Sequence, residues 1–137
     1  IEVGDVREIV SHSRMESVFG LTNAIGERDR AKSLTYLAQL LDHGESEVGI
    51  LALISRHIRI LMSTKEALTQ GLTRAQISSR VGVPSFFIQN YIDQSMKWTE
   101  QKLEETHAII LETDRALKSS PVSSHIWLEN FILKSCS

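Results

Sequence analysis

The sequence predicts an all-α protein, a single compact bundle of about seven to eight helices. Three observations carry that prediction. β-Branched residues nowhere alternate with polar ones over a useful length, as a half-buried strand requires. The two prolines, Pro84 and Pro121, both stand where helices should begin, and a first helical turn tolerates proline because its N–H has no partner there. Between candidate capping residues, apolar side chains recur at spacings of three and four.

A short first helix is expected over about Asp5 to Ser11 and a second over about Glu16 to Gly26, showing Phe19, Ala24 and Ile25. Asp29 is placed to cap a third, which carries Leu34, Leu37, Ala38 and Leu41 on one stripe and stops near Gly44. The fourth runs from about Ser46 to Gln70 and ends at Gly71, a C-terminal glycine. Its N-terminal half holds five consecutive apolar residues, Ile50 to Ile54. Five in a row point to every side of a helix, so this one is expected to be enclosed by others or shared with a partner. Thr73 caps a short helix to about Arg80, and Gly82-Val83-Pro84 turns into another that reaches about Met96. Thr99 caps the next, with Lys102 where a capping box wants Glu or Gln, and it carries Leu103, Ile110 and Leu117 as far as Ser119-Ser120. Ser123 or Ser124 opens the last helix, with Trp127, Leu128, Phe131, Ile132 and Leu133.

At 137 residues the chain is one domain, long enough to bury roughly two-thirds of its unfolded surface without staples. A net charge of −2 argues against a dedicated nucleic-acid binder, which usually carries a basic excess. The single cysteine, Cys136, forms no internal disulfide and fits a reducing, cytoplasmic setting. No apolar run approaches the roughly 18 residues of a membrane span. The chain opens without a signal peptide or an initiator Met, so a fragment of something longer is expected.

The search for chemistry returns little. No phosphate-cradling glycine loop occurs. The histidines His12, His43, His57, His107 and His125 stand apart from one another and from Cys136, without ligand spacing. No catalytic, cofactor or metal residue is therefore expected, and the histidines read as isolated surface or boundary residues. Glu104 and Glu105 are helix neighbours that do not share a face, whereas Asp114 and Lys118 have the spacing and order of a helix ion pair. The segment from Thr73 to Met96 has the outline of a helix-turn-helix DNA reader, with Gln89 and Asn90 as possible adenine readers. Its second helix has no Lys or Arg before Lys97, and it carries Asp93. Since phosphate contacts supply most of the affinity of such modules, two helices packed at a glycine turn is the better reading. Phe86 and Phe87 are neighbours and cannot both face one core, and the last helix is apolar over too much of its circumference. Phe86, Trp127 and Phe131 are thus candidate subunit-interface residues.

The order of these segments resembles one family. Val18-Phe19-Gly20-Leu21-Thr22-Asn23-Ala24-Ile25, then Asp29, Ala31, Leu34 and Leu37, then Leu40-Leu41 and Gly44-Glu45 open the pattern. Ile50-Leu51, Leu53-Ile54 and Arg56-His57-Ile58-Arg59 follow, with His57 where Gln is usual and Ile58 where Phe is usual. Ile77, Val81-Gly82-Val83-Pro84, Phe86 and finally Thr113-Asp114-Arg115-Ala116-Leu117-Lys118 complete it. Together they resemble the C-terminal collar domain of the delta subunit of the bacterial DNA polymerase III clamp loader. The resemblance implies a collar-type helical bundle over 15–137, with 1–14 the remnant of a preceding lid module. It implies an oligomerisation domain, not an enzyme, that packs with gamma/tau-type and delta-prime-type subunits. Contact with the sliding clamp would run through an N-terminal module outside this chain, and contact with DNA through the whole complex. The alternative is a helix-turn-helix DNA-binding regulatory domain.

Overall fold

The computed structural model describes the backbone of residues 3–119 and 123–137, and side chains from residue 15 onward within those spans. Its helices are α1 (Val3–Gly26), α2 (Arg30–Asp42), α3 (Glu47–Thr69), α4 (Arg74–Val81), α5 (Ser85–Ser95), α6 (Glu100–Ser119) and α7 (Ser124–Ser135). No strand occurs among the described residues. The two helices expected before Gly26 are one continuous helix, α1. No glycine or proline lies between Ser11 and Glu16 to interrupt the backbone. Pro121, expected at a helix start, lies outside the described residues.

Helix ends follow local capping chemistry. Asp29 accepts from the Lys32 backbone N–H, Ser46 from Gly49 and Thr99 from Lys102. At α4, Thr73 accepts from the Gln76 backbone while the Gln76 side chain accepts from the Thr73 N–H, a complete capping box. Gly44, Gly71 and Gly82 leave their helices with φ near +80°, +76° and +75°, a left-handed conformation that costs glycine nothing. Ser123 stands at the N-cap of α7 without a side-chain capping bond; its hydroxyl meets His125 Nδ1 instead.

Helix α3 is the axle, packing on α1, α4, α5, α6 and α7. One face of it (Ile50, Leu51, Ile54, Ile58, Leu61) joins Leu21 and Ile25 of α1, Leu37 and Leu40 of α2, Leu103 and Ile110 of α6, and Leu128, Phe131 and Ile132 of α7. A smaller core forms farther along α3, where Ile60 and Ala67 meet Ile77, Val83 and Ile88. This second core seats the α4–α5 pair, and Tyr91 borders both clusters.

Of the two expectations for α3, enclosure by other helices of this chain is corrected, and the sharing with a partner is left as the alternative. Ile50, Leu51 and Ile54 are buried, but Ala52 is exposed and Val48 and Leu53 are each 41% exposed. Helices cover only one side of α3 at its N-terminal end. In α7 the same division holds: Leu128, Phe131 and Ile132 face inward while Ile126 and Leu133 face out.

Candidate subunit interface

The three expected interface residues separate. Phe131 is fully buried in the main core, so it supports the bundle and offers no surface. The α6 and α2 helices packed on α7 cover that side of it. Trp127 is half-buried, and its indole N–H has no hydrogen-bond partner among the described residues. Phe86 is 77% exposed, the most open large apolar side chain among the described residues.

Around Phe86 the structure gathers its neighbour Phe87 and residues of α1 and α3 that were not singled out as interface candidates. Its ring lies against that of Phe87, with centroids 4.3 Å apart and planes tilted by 43°. Phe87 is itself 53% exposed. Phe19 of α1, 61% exposed, faces it across a groove of about 470 Å³ whose lining includes Asn23, Arg56, Pro84 and Tyr91. The groove runs between α1, α3 and α5. One signal for Phe19 was in the sequence. It sits two residues before the buried Leu21, and two residues turn a helix by about 200°, to the opposite side.

The groove has a polar floor. His57 Nε2 lies 2.7 Å from Gln94 Oε1, and both residues are buried. With that nitrogen protonated, the imidazole donates to the amide oxygen. The Gln94 amide donates to Asn23 Oδ1 at 3.2 Å, and Asn90 donates to the same oxygen at 3.0 Å. The His57 ring also packs on Tyr91, at 5.0 Å between centroids. Burial lowers the pKa of His57 below its usual value; the bond to Gln94 opposes this and the Arg56 charge adds to it. His57 is therefore a buried neutral residue joined to a network, not the isolated surface or boundary histidine expected. Gly26 is what admits the pair: a Cβ there would stand 1.9 Å from Gln94 Oε1 and 2.9 Å from His57 Nε2.

Beside the groove the surface is basic. Arg56, which lines the groove, also lines a shallow neighbouring hollow of about 270 Å³ together with Arg59, Arg80 and Val81. No carboxylate lines either space. Arg80 donates to the Gln70 side chain and Arg59 to the Ser55 carbonyl, both neutral acceptors. The amides that could read adenine are engaged within the chain, Gln89 with Asp93 and Asn90 with Asn23. Elsewhere, Asp114 and Lys118 form their ion pair at 2.9 Å. Among the described residues no three His, Cys, Asp or Glu side chains converge as a metal site. Among them, too, no helix is long and apolar enough to cross a membrane.

Fold and surface define a class, an all-helical domain that presents an aromatic groove with guanidinium groups at and beside it. The family model "DNA polymerase III delta subunit, C-terminal domain" matches residues 15–135, and the chain belongs to that family. It is 31% identical over 134 residues to the DNA polymerase III subunit delta of Bacillus subtilis (strain 168), covering 98% of this chain and 39% of that protein. It is also similar to the solved structure of the Bacillus subtilis DNA clamp loader delta protein. That similarity has a TM-score of 0.80 at 30% identity, over 99% of this chain and 40% of the other. The chain thus spans about two-fifths of the length of these relatives.

Proposed function

We infer that this domain is the assembly piece of a clamp-loader delta subunit. It packs with gamma/tau-type and delta-prime-type subunits in the complex that loads the sliding clamp onto primed DNA during replication. One observation carries the reading: Phe86, Phe87 and Phe19 cluster on one surface, outside both cores, in a domain of the delta family. Contiguous exposed aromatic surface of this kind marks a protein contact. On this reading the domain performs no catalysis and works in the cytoplasm. Residues 1–14 belong to the module before it. Contact with the clamp falls to an N-terminal module and contact with DNA to the whole complex. The helix-turn-helix alternative is weaker, because its second helix presents phenylalanines where a reader needs cations and free amides.

The test is light scattering after size-exclusion chromatography of a full-length delta subunit carrying this domain, alone and mixed with the other loader subunits. A defined larger complex that forms with this domain and fails without it is expected. A full-length protein that ignores every loader subunit refutes the reading.

A further inference from the structure

Charge at the groove identifies what chemistry covers it. Arg56 of α3 lines the groove, and Arg59 and Arg80 stand with it around the neighbouring hollow, on the α3 and α4 side. All three residues are exposed. Helix α4 has no acidic residue, and the single one on α5, Asp93, accepts from Gln89 and lines neither space. The rest of the chain has more acids than bases, with 17 Asp and Glu against 15 Lys and Arg overall, so this local excess stands against the balance of the whole. The groove itself is walled by Phe19, Phe87, Pro84 and Tyr91, and the Phe86 ring lies tilted against that of Phe87. Apolar anchors belong in the groove and carboxylates belong on its rim.

We propose that the groove between α1, α3 and α5 is the docking site for an acidic amphipathic helix of a neighbouring loader subunit. That helix would set apolar side chains at i, i+3 or i+4 against Phe19 and Phe87, flanked by Asp or Glu facing Arg56, Arg59 and Arg80. The proposal rests on the assembly reading and adds which face is used and what its partner looks like. Anchors in the centre set the dissociation rate, and the arginines set the association rate and its salt dependence.

The experiment titrates full-length delta subunits against the remaining loader subunits, at low and high salt. Four single variants are compared with the parent: Phe86→Ala, Phe87→Ala, Arg56→Glu and, as a control on α6 with an exposure close to that of Phe87, Leu111→Ala. Circular dichroism checks that each is folded. Phe87→Ala is expected to weaken assembly by about thirtyfold, the scale of an anchor residue. Phe86→Ala should weaken it by less. Arg56→Glu should weaken it at low salt and much less at high salt, because salt screens the lost attraction. Leu111→Ala should bind as the parent does. Folded groove variants that assemble like the parent overturn the proposal while leaving the assembly reading intact. A parent that joins no loader subunit overturns both. Groove variants that assemble normally but lose retention of DNA by the complex overturn it in favour of a nucleic-acid face, and parent molecules that pair with each other through these residues overturn it in favour of self-association.

Discussion

Gly26→Ala is expected to be the most damaging one-carbon change in this fold. The added Cβ would meet Gln94 Oε1 at 1.9 Å, Gln94 Cδ at 2.5 Å and His57 Nε2 at 2.9 Å. Neither side chain has a free end that swings into solvent, since Gln94 is 0% and His57 5% exposed. Accommodating the methyl separates the pair and leaves a buried donor and a buried acceptor unsatisfied, at about 1–3 kcal/mol each. The exchange of glycine for alanine in a helix returns about 0.5–1 kcal/mol. The net loss is about 1–5 kcal/mol, or on the order of 10 °C in melting temperature for a chain of this size. Thermal and urea unfolding followed by circular dichroism at a helix band read it directly. Gly49→Ala is the control, because the nearest heavy atoms to its new Cβ, Ser46 Cβ and Oγ, lie at an ordinary 3.7 Å. That variant should be neutral or slightly stabilising. If Gly26→Ala melts with Gly49→Ala, the close approach is not what fixes glycine at residue 26.

His57 and Trp98 give two further expectations. In the unfolded chain His57 titrates near its ordinary 6.5, while burial holds its pKa lower in the fold. Just below pH 6.5 the unfolded chain binds a proton that the folded one refuses, so stability present above that pH declines as the pH falls. His57→Gln, which keeps an amide able to bond Gln94, should flatten that decline in urea midpoints measured from pH 7.5 downward; an unchanged slope would assign it to other groups. The Trp98 indole donates to the Gly26 carbonyl at 2.9 Å within the core. Trp98→Phe keeps most of the packing, loses that bond, and should cost about 1–3 kcal/mol in urea unfolding. No loss would mean that another donor reaches the carbonyl.

Much of this protein was legible because helix ends are local events. A cap is a bond from a side chain to a backbone three residues on, and a glycine in the left-handed region costs no contact with anything distant. Asp29, Ser46, Thr73 and Thr99 announced helix starts, and Gly44, Gly71 and Gly82 the stops, before any tertiary contact was known. The order of the segments also pointed to the delta family, which the family match then showed. Even so, the local signals misled once. Ser11 and Glu16 suggested a break that the backbone of α1 does not make.

What the tertiary structure alone decided is which apolar residues are covered. A run such as Ile50 to Ile54 states that several sides of a helix are apolar, but burial depends on helices arriving from elsewhere in the chain. They cover Ile54 and leave Leu53 open. The same holds for Phe131, which was read as a candidate interface residue and lies in the core, for Phe19, which was read only as a residue of its helix and lies on the surface, and for Phe86 and Phe87, which could not both face one core and are both exposed. His57 looked isolated because its partner Gln94 stands 37 residues away, and Gly26 needs both in place before its lack of a side chain means anything. Sequence by itself determined the helices and their ends, whose causes lie within one turn. Only the packing of α1, α3 and α5 determined the groove, because its walls come from residues that meet nowhere along the chain.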